Sequence, residues 1–303
     1  MADLSVEICG VRLNNPLIAA SGTFGFGHEY EEFYPLETLG GISCKGITLS
    51  PRPGNPPPRI AEGRNGILNS VGLQNPGVDH FINEDLPWLT KQNTAVIANI
   101  AGNTVEDYCH MAEKLSDTDI DMIEMNISCP NVKHGGVAFG TSCQSVGNIT
   151  KAVKQRCKKP LIVKLSPNVA DIAEIAKSAE SEGADAVSLI NTLTGMRIDI
   201  DTARPILRNN TGGMSGPAVF PVAVRMVWQV KNAVSIPVIG MGGISTWQDA
   251  AEMLIAGADA LQIGSVLFND PYAPIKICRG LNDFLDKKGM KSISELTATV
   301  KPW

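Results

Sequence analysis

The sequence predicts an α/β protein whose eight parallel strands close into a (β/α)8 TIM barrel. Short runs rich in Val, Ile and Leu recur along the chain, each ending in Gly, Ser, Asn or Pro, and helix-length amphipathic segments separate most of the later ones. Such near-continuous apolar strands suit a parallel sheet covered on both faces. An open doubly wound sheet is the alternative. It would be favoured by a GxGxxG motif behind the first strand, and GTFGFG at 22–27 has neither that spacing nor a clear helix after it.

The strands are expected at 16–22, 40–48, 94–102, 122–130, 161–167, 186–192, 237–244 and 260–266. Helices are expected over TVEDYCHMAEKL, VGNITKAVKQRC, DIAEIAKSAESEGA, VFPVAVRMVWQVKNAV and TWQDAAEMLIAGA. Thr104 caps the first of these and a Ser/Thr pair the last, because a hydroxyl can satisfy an otherwise orphaned N–H at a helix start. Gly257 ends the last helix, where a left-handed conformation costs glycine little. Residues 49–93 and 193–216 are too long, and the first too rich in Pro and Gly, for plain βα loops. They read as insertions over the C-terminal mouth of one domain spanning 1–303.

Composition removes several functions. With 44% hydrophobic residues, 19% charged and a net charge of −5, the chain is an ordinary globular one without the basic surface that nucleic acid requires. Its start has no basic region followed by an apolar one, and no stretch reaches the roughly 18 apolar residues of a membrane span, so a cytoplasmic protein is expected. The seven cysteines form no CxxC pair and no Cys/His spacing for zinc or an iron–sulfur cluster. Free thiols and no intrinsic metal are expected.

In a barrel the chemistry gathers where strands end at the C-terminal face. The residues closing the apolar runs are Ser21 and Gly22, Lys45, Asn99, then Asn126, Ser128 and Cys129. Lys164, Asn191 with Thr192, Gly242 with Gly243, and Gly264 with Ser265 complete the circuit. A buried ammonium is costly without an anion. No acidic residue stands beside Lys45 or Lys164 at a strand end, so each lysine either snorkels outward or pairs with a carboxylate from elsewhere in the chain, or both face an anionic ligand, which two such lysines together favour. Glycines after strands seven and eight suit a phosphate cradle. A phosphate, inward lysines and several amides together suggest flavin mononucleotide (FMN), whose reduced ring gains from a nearby positive charge.

Cys129 sits in NISCPNVKHGG, after the fourth apolar run. A free cysteine is most often a small packing residue. Its position at a strand end among polar groups favours a reacting thiol. Cys44, inside an apolar run, reads as packing.

The motifs ASGTFGFG (20–27), CKGIT with PRPGNPPPR (44–59), NSVGLQNPG (69–77), NISCPNVKHGG (126–136), VKLSPN (163–168), INT (190–192), SGP (215–217), GMGGI (240–244) and IGS (263–265) together closely resemble the dihydroorotate dehydrogenase family. They run through nearly the whole chain in order. The resemblance implies oxidation of (S)-dihydroorotate to orotate in pyrimidine biosynthesis. Cys129 would be the base of the soluble, cysteine-dependent class, taking the C5 proton while hydride passes from C6 to FMN. It implies FMN binding by Ser21, Lys45, Gly46, Asn99, Asn126, Lys164, Ile190, Gly216, Gly242, Gly243, Gly264 and Ser265. Substrate would meet Lys45, Asn69, Ser70, Val71, Gly72, Leu73, Asn126, Asn191 and Thr192. Gly46 and Ser265 stand where other members often have threonine, and backbone contacts or the serine hydroxyl would serve.

KHGG and GNPPPR are more similar to the catalytic subunit of the NAD-linked heteromeric form, which implies a homodimer core joined by an electron-transfer subunit carrying FAD and a [2Fe–2S] cluster, a heterotetramer. A fumarate-linked homodimer remains the alternative acceptor arrangement. On the residues alone, a lyase forming a Schiff base on Lys164 and a non-catalytic scaffold are also open.

Overall fold

The computed structural model describes residues 2–127 and 139–303. Eight parallel strands, Leu17–Ala19, Gly41–Ser43, Ala95–Ile100, Met122–Asn126, Leu161–Lys164, Ala186–Leu189, Val238–Met241 and Ala260–Ile263, close into a barrel in chain order. They are barrel strands 1 to 8 below. Each is shorter than the apolar run that announced it, because the last residues of each run have already left the ladder at the mouth.

Alternation along the strands sorts their side chains into two environments. Residues such as Val96, Ala98, Ile123, Met125, Val163 and Val187 face outward into the large core beneath the helices. Ile18, Ile97, Met122, Ile162, Ala186, Ile239 and Ala260 face inward and fill one end of the barrel with an apolar layer. That end is closed by an antiparallel hairpin, Val6–Ile8 with Val11–Leu13, whose Ile8 and Leu13 are fully buried against the layer. The hairpin was not expected: its strands are three residues long, and its meaning comes only from what it covers.

The expected helices lie at Val105–Ser116, Cys143–Lys154, Ile172–Ser181, Phe220–Lys231 and Trp247–Ala256. Thr104 and Thr246 each form a full capping box, with Asp107 and Asp249 as the reciprocal carboxylates. Asp171 caps its helix through two backbone N–H groups. Gly257 follows the fifth of these helices at φ 123°. A further helix, Ala273–Lys288, packs its Ile277, Leu281 and Leu285 inward. It was not foreseen because no strand follows it to complete the βα rhythm. Among the described residues no helix is long and apolar enough to cross a membrane.

The two long insertions are one structure. Ile60–Gly63 and Gly66–Asn69 form a hairpin that pairs through Gly66–Asn69 with Gly212–Ser215, which in turn pairs with Leu193–Gly195. This four-stranded antiparallel sheet borders the mouth. Gly213 is the point of closest approach: a Cβ there would stand 2.0 Å from Thr192 Oγ1, so only glycine lets the strand reach the barrel rim.

Candidate active site

One layer above the apolar plug, the inward positions turn polar. Strand 2 ends in Ser43 where it began with Gly41; strand 3 passes from Ile97 to Asn99, strand 4 from Met122 to Glu124, strand 5 from Ile162 to Lys164. Strand 6 passes from Ala186 to Ser188 and strand 8 from Ala260 to Gln262. Each step is two residues, so each polar side chain follows the plug residue onto the same inner face. All six are buried.

Glu124 is the centre of this layer and is 0% exposed. Its Oε1 accepts from Ser188 Oγ at 2.7 Å and Gln262 Nε2 at 2.6 Å, and its Oε2 from Ser43 Oγ at 2.7 Å and Asn99 Nδ2 at 2.6 Å. Lys164 Nζ lies 3.5 Å from Oε2 and 3.5 Å from Gln262 Oε1. Burial, the strongest influence on Glu124, pushes its pKa up. The Lys164 charge and the hydrogen bonds from Ser43, Ser188 and Gln262 outweigh it, and the net direction is down. Glu124 therefore remains a carboxylate.

For Lys164 the structure realises the alternative of a partner carboxylate. The sequence was read as lacking an acidic residue near it, yet Glu124 stands beside it across the strand 4–strand 5 ladder, where Asn126 pairs with Lys164 and Glu124 with Ile162. The signal was available: Glu124 is two residues before Asn126 and shares its face. What linear reading could not supply was the register of the neighbouring strand. The pairing also argues against a Schiff-base role, since the Lys164 amine is committed to a buried carboxylate.

Above the layer opens a cavity of about 240 Å³. Ser21 from strand 1, Lys45 and Gly46 after strand 2, Asn126 and Lys164 line it. Ile190, Asn191 and Thr192 enter from the end of strand 6. Asn69, Val71, Gly72 and Leu73 come from the first insertion. Gly242, Gly243, Gly264 and Ser265 close the side beyond strands 7 and 8. Residues as far apart in the chain as Ser21 and Ser265 are thus brought to one cleft.

The polar groups are held by their neighbours. Asn191 Nδ2 donates to Asn126 Oδ1 at 3.3 Å, and Tyr108 Oη donates to the Asn126 carbonyl at 2.8 Å. Asn168, from the VKLSPN segment, donates to the Thr192 carbonyl and accepts from the Thr194 N–H, pinning the strand 6 exit. The Lys45 N–H donates to the Gly25 carbonyl at 2.9 Å. Gly243 has φ 80°, and a Cβ there would lie 2.8 Å from the Gly216 carbonyl oxygen and 2.9 Å from the Phe220 nitrogen. The strand 7 turn thus exposes bare backbone by necessity.

Three expected residues lie otherwise. Asn99 sits below the cavity in the Glu124 layer, its Oδ1 buried without a partner. Ser70 is fully buried and alternates away from the cavity, with its backbone N–H bonded to the Arg59 carbonyl. Gly216 backs Gly243 instead of lining the cleft. Cys129 and Ser128 fall outside the described residues. Missed by the sequence reading were Ser43, Glu124, Ser188 and Gln262, and the apolar wall of Ile60, Ile67 and Met214. No cysteine among the described residues lines the cavity. Cys44 is fully buried, and burial drives its thiol pKa far up, as befits packing.

A closed parallel barrel with lysines, amides and glycine turns converging at its C-terminal mouth defines a barrel enzyme with a preformed small-molecule site. The chain belongs to the dihydroorotate dehydrogenase family, whose model matches residues 3–285. It is similar to the protein named "Dihydroorotate dehydrogenase B (NAD(+)), catalytic subunit" of Alkaliphilus metalliredigens, 54% identical over 298 residues, covering 98% of this chain and 99% of that one. The same name is carried by relatives from Bacteroides fragilis, 54% identical over 302 residues, and Petrotoga mobilis, 50% identical over 300. Each covers 99% of this chain and 100% of its own.

Proposed function

We propose that this chain is the catalytic subunit of an NAD+-linked dihydroorotate dehydrogenase, oxidising (S)-dihydroorotate to orotate in pyrimidine biosynthesis with FMN at the barrel mouth. The observation that carries the reading is the convergence of Lys45, Asn69, Asn126, Asn191 and Thr192 on one cleft, above Lys164 and beside the glycine turns of strands 7 and 8. An amide-rich, anionic substrate matches that donor set.

The residues fit a flavin nucleotide. Asn99 Oδ1 is a buried acceptor awaiting an N–H, Lys164 offers a positive charge, and Gly243 lines the cleft with backbone because a Cβ there would meet the Gly216 carbonyl oxygen and Phe220. Ser21, Lys45, Gly46, Asn99, Asn126, Lys164 and Ile190 would hold the ring, and Gly242, Gly243, Gly264 and Ser265 the phosphate, with Gly216 backing the Gly243 turn. When bound, the flavin supplies a two-electron acceptor for the hydride leaving C6.

The remaining work belongs to the protein's own groups. Asn69, Asn126, Asn191 and Thr192 would orient the substrate so that C5 and C6 are presented in one geometry. Lys45 would orient its carboxylate and balance charge. Cys129 would take the C5 proton as thiolate. Two facts support it: Asn126, three residues earlier, is in the cleft, and the described cysteines elsewhere are unsuited. Burial pushes Cys9 to about 11 and Cys278 to about 12, away from the range of a base at neutral pH.

The words "catalytic subunit" in the relatives' names support a second chain, for which an FAD and [2Fe–2S] electron-transfer subunit in a heterotetramer is the reading. Purified chain should be yellow, release FMN on denaturation, and bleach on anaerobic mixing with dihydroorotate. A colourless chain that neither takes up FMN nor bleaches with dihydroorotate would refute the assignment. Fast reduction of fumarate without any partner would refute the NAD+ link.

A further inference from the structure

Glu124 has no place in the chemistry above, yet it is the most heavily partnered side chain in the barrel. It sits beneath the cavity, out of reach of any substrate. Four donors and an ammonium converge on its two oxygens.

Two of those donors are primary amides, and an amide that turns its NH2 one way turns its oxygen the other. Because a carboxylate only accepts, Asn99 must present Nδ2 to Glu124, which leaves Oδ1 on the opposite side. That oxygen is buried without a partner and lies 3.1 Å from where a Cβ on Gly46, a residue of the cavity lining, would stand. Gln262 likewise gives Nε2 to Glu124 and leaves Oε1 for Lys164.

We infer that Glu124 is a positioning residue that sets the polarity of the site's floor, fixing Asn99 as an acceptor and Lys164 as the neighbouring cation. The floor then selects a ring edge that offers an N–H beside a group wanting positive charge. The oxidised isoalloxazine ring carries a single N–H, at N3, flanked by two carbonyls. The inference thus deepens the flavin reading and rests on it: Glu124 acts on the N3–H through Asn99, without touching the flavin.

Glu124→Gln tests this, because the new amide must place an NH2 among groups that now all donate to it. The Ser43 and Ser188 hydroxyls can turn to accept, so the amides must answer: Gln262 flips if the NH2 takes the Oε1 position, and Asn99 flips, turning Nδ2 toward the cavity, if it takes the Oε2 position. Apo-protein is titrated with FMN and with its 3-deaza analogue, in which a C–H of nearly the same size replaces N3–H, following quenching of ligand fluorescence. Wild type should prefer FMN by about tenfold or more, the usual consequence of losing one buried hydrogen bond. A variant in which Asn99 has flipped should bind FMN more weakly and prefer neither. A merely structural role would weaken both ligands alike and leave the preference intact.

A folded variant with wild-type preference in which Asn99 has turned round, read by neutron diffraction, overturns the inference while leaving FMN binding standing; one in which Gln262 has turned round instead and Asn99 still donates to residue 124 supports it. Wild type that takes up no FMN overturns the flavin reading itself, and the inference with it. If Glu124→Gln does not fold, neutron diffraction on the wild-type holoenzyme decides without a variant. Deuterium on the Asn99 nitrogen directed at Glu124 supports the assignment, and deuterium directed at the flavin overturns it.

Discussion

The two ends of the barrel are built from the same strands and obey the same alternation, yet they are chemically opposite. At the N-terminal end Ile18, Ile97, Met122, Ile162 and Ile239 make a dry layer sealed by Ile8 and Leu13. Two residues further along strands 2 to 6 and 8, Ser43, Asn99, Glu124, Lys164, Ser188 and Gln262 make a hydrogen-bonded floor beneath the cavity. The difference teaches where stability and specificity reside. A change of shape in the plug is expected to cost folding energy, whereas a floor member that turns round breaks the hydrogen-bond directions of its neighbours.

The contrast can be broken from above, at the cleft. Cys129→Ala is expected to lower the rate of flavin reduction by dihydroorotate about 10²- to 10⁴-fold, the range for a lost general base. Flavin content should be unchanged, and stopped-flow bleaching reads the rate. Within the floor, Glu124→Leu should destabilise the fold by about 3–5 kcal/mol, since it strands the Lys164 ammonium. Urea unfolding measures this, and a loss below about 1 kcal/mol would show that the buried pair is dispensable.

The plug should respond differently. Met122→Ala, on the same strand and face as Glu124, should cost about 2–5 kcal/mol through the cavity it leaves, with FMN affinity held within about twofold. If FMN affinity fell with stability, the two layers would not be separable.

A pH experiment sharpens the floor's side of the comparison. Glu124 has a native pKa below its ordinary value of 4.5. Its share of stability is therefore fully present above that value and is lost as pH falls through the depressed native one. Acid unfolding followed by circular dichroism should begin below about pH 4.5 and show a weaker pH dependence in Glu124→Gln. The smallest effect belongs to neither layer: Thr104→Ala removes a capping box outside the barrel and should cost about 1 kcal/mol, read as a lowered melting temperature with normal flavin binding.

Much of this was legible in the linear chain. All eight barrel strands lie within the apolar runs that announced them, because a buried parallel strand needs continuous Val, Ile and Leu. Thr104 and Thr246 proved to be caps because capping is local, decided within three residues. The strand-end residues Ser21, Lys45, Asn126, Asn191 and Ser265 share one cleft, as the barrel rule required.

What escaped was everything that depends on pairing between distant segments. The insertions at 49–93 and 193–216 read as separate loops. Their union into one sheet is fixed by the register of Asn69 with Gly213, 144 residues away. Glu124 was passed over inside an apolar strand because its partners come from strands 2, 3, 5, 6 and 8, none adjacent in sequence.

The sequence by itself determined the barrel, its caps and the roster of polar groups at its mouth, since strand burial and helix capping are short-range demands written into neighbouring residues. Only the tertiary structure decided which of those groups reach the cleft, that Lys164 is answered by Glu124, and which way Asn99 faces. Those outcomes rest on strand register and hydrogen-bond direction across the barrel's interior, and neither exists until the barrel closes.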